Sequence, residues 1–63
     1  MRVKLYKTDF QNQMKKLTRK QAYTEFGEES VKNRIAEAKE NFQIDPLEEN
    51  SYPDGLLIEI EIN

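Results

Sequence analysis

The stretch that most limits what this chain can become is residues 56–62, Leu-Leu-Ile-Glu-Ile-Glu-Ile. From Leu56 every second position is a large aliphatic residue, while Glu59 and Glu61 fall on the other side. That is the two-residue period of a strand with one face on a core and one in water. Such a strand needs a neighbour for its backbone groups. Residues 2–6, Arg-Val-Lys-Leu-Tyr, have the same period, with Val3 and Leu5 facing inward and Arg2, Lys4 and Tyr6 outward. The outer faces match. Arg2 and Lys4 on one strand meet Glu59 and Glu61 on the other, and opposite charges across neighbouring strands contribute roughly 0.2–1 kcal/mol per pair.

Helical periodicity fills the interval between these strands. Thr8 and Gln11 have the spacing of a capping box, with Asp9 in the first turn. Phe10, Met14 and Leu17 then follow at i, i+4 and i+7. After Leu17 the apolar stripe moves, because Ala22, Tyr23 and Phe26 lie on a different side of a continuous helix. Two readings compete. One breaks the helix near Leu17 and Thr18, with Thr18 and Gln21 forming a second capping box. The other keeps one continuous helix whose second half packs on something else. The continuous helix is preferred, because residues 15–21 are mostly good helix formers.

Gly27 ends this element. Glu28, Glu29 and Ser30 open the next, placing acids at its positive end. Val31, Ile35, Ala38 and Phe42 make the cleanest stripe in the chain, and Asp45-Pro46 stops the helix. Residues 45–55 read as an acidic loop in which Pro53-Asp54-Gly55 is a turn: proline presets φ, and glycine permits φ > 0.

The expected fold is therefore one small α+β domain over residues 1–63, in the order β-α-α-β. Its terminal strands form a two-stranded sheet against two helices; antiparallel pairing is preferred because two antiparallel helices return the chain to the far end, while the 45–55 loop is long enough for a parallel pair. A two-stranded sheet is marginal in water, and 63 residues bury only a thin core. The chain has neither cysteine nor histidine, so disulfides and thiolate or imidazole metal sites are excluded. A homodimer is the expected remedy, with the free strand edges of two copies joining into a four-stranded sheet.

Catalysis has no candidate set. Ser30 and Ser51 have no histidine to activate them, and the paired carboxylates Glu28/Glu29, Glu37/Glu40 and Glu48/Glu49 fit a solvated surface. The acidic loop lacks the ligand alternation of a calcium loop, and two glycines cannot make a phosphate cradle. No cofactor or metal is expected. No apolar run approaches a membrane span, and the first residues lack the apolar stretch of a secretory signal, so the cytoplasm is expected.

Charge is uneven although the net is only −2. Residues 1–20 carry seven basic groups and one acid, a balance of +6; residues 21–63 carry three basic and eleven acidic groups, a balance of −8. Internal pairing is one explanation and a binding face is another. The leading functional reading is a small non-enzymatic protein-interaction or regulatory protein. It would hold a protein partner through the aromatic residues Tyr23, Phe26 and Tyr52, through Glu48 and Glu49 in the acidic loop, or through a strand edge. The alternative is a nucleic-acid-binding regulator using the cluster Lys15, Lys16, Arg19 and Lys20. Size, charge and lack of catalytic groups fit the small accessory proteins carried by phages and mobile elements.

Overall fold

The computed structural model describes residues 2–46 and 50–62. The chain runs β1 (Arg2–Thr8), β2 (Met14–Leu17), α1 (Arg19–Phe26), α2 (Glu28–Ile44), β3 (Asn50–Ser51) and β4 (Leu56–Glu61). The four strands form one antiparallel sheet in the order β2-β1-β4-β3. The α+β class and the antiparallel pairing of the outermost strands are as the sequence predicts, and that pair forms the centre of the sheet.

The register of the central pair sets Val3 against Ile60 and Leu5 against Ile58. These side chains face the helices. Leu5, Leu56, Ile58 and Ile60 are buried with Val31, Ile35 and Ala38 of α2 and Ala22 of α1, and Val3, Leu17 and Phe42 pack partly buried around them. On the opposite face Arg2 lies across from Glu61 and Lys4 across from Glu59. The ion pair that forms is diagonal, from Lys4 to Glu61, within reach of a long side chain.

The expected first helix from Thr8 does not exist. Residues 9–13 are instead a hairpin turn. Asn12 N donates to the Asp9 carbonyl (3.0 Å), Asp9 N donates to the Gln13 carbonyl (3.1 Å), and Asn12 has φ of 61°. This is the three-residue hairpin loop in which a type I turn is followed by a left-handed residue. Asp9 reinforces it, its Oδ1 accepting from Gln11 N and Gln13 N. The stripe of Phe10, Met14 and Leu17 is therefore no helix face. Phe10, on the turn, is 94% exposed, Met14 is 57% exposed, and only Leu17 touches the core.

The helix begins after Thr18, the alternative that the moving stripe had raised. Gln21 N donates to Thr18 Oγ1 (3.1 Å) and Thr18 N donates to Gln21 Oε1 (2.9 Å), a complete capping box. Gly27 alone separates the two helices. Its φ of 91° and ψ of 132° turn the chain without a left-handed helical residue, and glycine is the residue that tolerates this region.

The long loop before β4 also contains a strand, since β3 pairs with β4. Asn50 is buried there and accepts a hydrogen bond from the Asn41 side chain of α2 at 2.9 Å. The turn at residues 52–55 repeats the first hairpin's bonding: Gly55 N donates to the Tyr52 carbonyl, Tyr52 N to the Leu56 carbonyl, and Gly55 has φ of 98°. One chain thus completes the four-stranded sheet that had been expected from a homodimer. β2 covers the edge of β1 along residues 5–8, and β3 covers the edge of β4 at Leu57 and Ile58.

Candidate functional site

Only Thr18 separates the last residue of β2 from the first of α1. Strand and helix diverge from it and leave an open cleft of about 680 Å³ between the β1–β2 hairpin and α1. Lys15 and Leu17 line it from β2, and Lys20, Gln21 and Thr24 from α1. Lys7 of β1 also lines it and pairs with Glu25 of α1. Among the described residues the outer side of β2 pairs with no strand, which leaves its backbone groups on that side for a partner.

The electrostatics of this corner are unbalanced. Among the described residues the side-chain ion pairs are Lys4–Glu61, Lys7–Glu25, Lys32–Glu28 (3.6 Å) and Arg34–Asp54 (2.8 Å). None includes Lys15, Lys16, Arg19 or Lys20. The acids at the cleft are otherwise engaged: Glu25 holds Lys7, and Asp9 accepts from two backbone amides. Helix polarity adds to the imbalance. α2 begins with Glu28 and Glu29, which suit the positive end of a helix dipole; α1 begins with Arg19 and Lys20 and has no acid in its first turn. Each cation so placed costs about 0.3–1 kcal/mol that a bound anion would return. A local rule broken without internal compensation is a pointer to function.

The basic residues do not form one flat patch. Lys16 lies opposite Tyr6 and Lys15 opposite Lys7. Successive strand residues point to opposite faces, so Lys15 faces the cleft while Lys16 lies on the helix-free face of the sheet. Lys20 lines the cleft from α1; Arg19 is exposed outside it.

The aromatic residues singled out from the sequence have structural duties. Tyr23, Phe26 and Tyr52 are partly buried against the core cluster. The Lys32 ammonium stands 6.0 Å from the Tyr23 ring centre, and the Arg34 guanidinium 4.7 Å from that of Tyr52. Arg34 also donates to Asp54 Oδ1 (2.9 Å), so one side chain of α2 clamps the 52–55 turn. The Tyr52 hydroxyl is buried without a hydrogen-bond partner among the described residues; burial, followed by the nearby Glu37, raises its pKa above the ordinary 10.0. Glu48 and Glu49 lie outside the described residues.

The cleft is what the sequence reading missed. Its signal was present in Asp9 and Asn12, residues suited to the first and left-handed positions of a hairpin turn, and in the alternative capping box at Thr18. Among the described residues no group of acids could hold a metal ion, and no helix is long and apolar enough to cross a membrane. Comparison with protein-family models, curated proteins and solved structures finds no match to this chain.

Proposed function

We propose that this chain is a small non-enzymatic binding protein that holds an acidic protein partner at the cleft between β2 and α1. The observation that carries this reading is the position of Lys15 and Lys20. They face one cleft from opposite walls, without ion-pair partners among the described residues, beside a strand edge that no described strand covers. The strand edge expected from the sequence was that of the terminal strands, and the edge of β2 takes its place in this reading; the aromatic set is largely spent on packing. The reading keeps the protein in the cytoplasm, as an accessory protein of the kind phages and mobile elements carry.

Photo-crosslinking in the native host tests it. A crosslinker at Gln21 or Thr24 should capture an acidic protein, and Lys15→Glu with Lys20→Glu should abolish the capture. A crosslinker at Lys39 on α2 should not give the same adduct. Equal capture from both positions, or capture indifferent to the charge reversals, would overturn the reading.

Nucleic-acid binding is the second reading, favoured by the lack of ion pairs at all four cations among the described residues. If each met a phosphate, the log–log salt slope would be about −3 to −4. The placement of Lys15 and Lys16 on opposite faces argues against it, because one duplex surface cannot meet both.

A further inference from the structure

We infer that the partner segment binds as an added β-strand along the outer edge of β2, and that its four-residue core reads apolar-acid-acid-apolar. This rests on the reading of the cleft as a protein-binding site and states the chemistry of what enters it.

The inference follows from the order of residues in β2. Met14-Lys15-Lys16-Leu17 alternates so that Lys15 and Leu17 share the face toward the helices and Met14 and Lys16 take the other positions, one lysine and one apolar residue each, with Met14 at the end of the strand also reaching the cleft. A strand laid beside β2 meets this pattern residue by residue, since directly opposed side chains share a face. The complement is one acid and one apolar residue on each face. The pattern in β2 is a palindrome, so the same complement fits parallel and antiparallel entry. Lys20 on the opposite wall adds a second cation for the acid that faces the cleft. Main-chain hydrogen bonds to the open edge would supply affinity, and the side chains selectivity.

A second copy of this chain is a poor occupant. In each central antiparallel register of two β2 strands, lysine meets lysine: Lys15 on Lys15, Lys16 on Lys16, or Lys15 on Lys16. Like charges directly opposed are destabilising. The lysines that guard this edge against self-pairing are the ones that welcome an acidic strand, so repulsion and attraction select the same partner. At the sheet's other edge, β3 has only two residues and pairs with Leu57 and Ile58 alone; beyond it the edge carries Glu59 and Glu61 of β4, whose charge disfavours an acidic strand there.

The test is an NMR titration of the intact chain with a capped peptide, Thr-Val-Glu-Glu-Ile-Thr. Shifts should concentrate on residues 14–17 and along α1. The peptide carrying lysines in place of its glutamates should bind at least tenfold more weakly. The double variant Lys15→Glu/Lys16→Glu should reverse that preference; Lys15→Gln/Lys16→Gln, a milder change that keeps Lys20, should reduce it to a few-fold. Methylating alternate backbone nitrogens of the acidic peptide should weaken binding at least tenfold when the methylated edge is the one facing β2. If the methylated peptides bind as well as the parent while charge reversal still abolishes binding, strand addition is wrong but the acidic-partner reading stands. If a thymidine oligonucleotide shifts the same residues and the acidic peptide does not, both fall.

Discussion

Two glycines with nearly the same backbone angle provide a controlled comparison. Gly27 has φ of 91° and Gly55 φ of 98°. Alanine at either must hold a conformation that costs about 1–3 kcal/mol for a residue with a Cβ. Their surroundings differ. A Cβ on Gly27 would meet nothing closer than the Ser30 Cβ at 3.9 Å. A Cβ on Gly55 would stand 2.9 Å from the carbonyl oxygen of Thr8. That backbone cannot simply retreat, because Thr8 N donates to the Gly55 carbonyl at 2.8 Å and extends the β1–β4 ladder. Overpacking of this kind adds about 1–3 kcal/mol. Gly55→Ala should therefore lose that much more stability than Gly27→Ala. A chain of 63 residues has a total stability of about 3–9 kcal/mol, so the difference is a large share of the whole. Urea unfolding followed by circular dichroism reads it. With a slope near 1 kcal/mol per molar for a small domain, the Gly55→Ala midpoint should lie about 1–3 M below that of Gly27→Ala. Coincident midpoints would refute the argument that the approach of residue 55 to Thr8, and not the positive φ alone, makes glycine necessary there.

Other outcomes are expected from single contacts. Thr18→Ala removes one half of the capping box and should cost about 1 kcal/mol in urea unfolding; Thr18→Ser should retain most of it. Tyr52→Phe removes a buried hydroxyl that has no partner among the described residues and should be neutral or stabilising. Because burial holds the Tyr52 phenol above 10.0, its contribution is fully present below that pH and fades as pH rises through the raised value. Phenylalanine should thus flatten the alkaline limb of the stability profile. Lys4 holds Glu61 below its ordinary 4.5, chiefly by a hydrogen bond between them. The contribution of Glu61 is present above about pH 4.5 and is lost as pH falls through the depressed value, so Glu61→Gln should flatten the acid limb. An unchanged acid limb would show that the pair forms no net interaction in solution.

Legibility followed the strength of the local signal. Residues 56–62 and 31–42 carry long, unmixed periodicities, and each took the expected form except at Ile62, which lies beyond the end of β4 and is exposed instead of joining the core face. The central pairing was readable because the charges of Arg2, Lys4, Glu59 and Glu61 marked the outer faces before any register was known. β2 was not readable. Lys15 and Lys16 are good helix formers, and Phe10, Met14 and Leu17 imitate a helical stripe by spacing alone. Tertiary context decided against them: the turn at Asp9–Asn12 returned the chain alongside β1, where Leu17 lies opposite Leu5. The two residues of β3 are too few to show any period. The cleft was hidden for a related reason. It exists only because β2 and α1 diverge at Thr18, and the preferred reading had fused them into one helix.

Residues 2 and 61 are partners in the central ladder, so the incoming and outgoing ends of this unit stand side by side. A domain with that property can be spliced into a surface loop of an unrelated protein without prising the host's chain apart. It is also suited to circular permutation, with a short bridge joining the old ends and new ones opened at the exposed Phe10 turn. A tag or fluorophore attached at either old end would sit next to the Arg2–Glu61 pair at the middle of the sheet, away from the outer edge of β2.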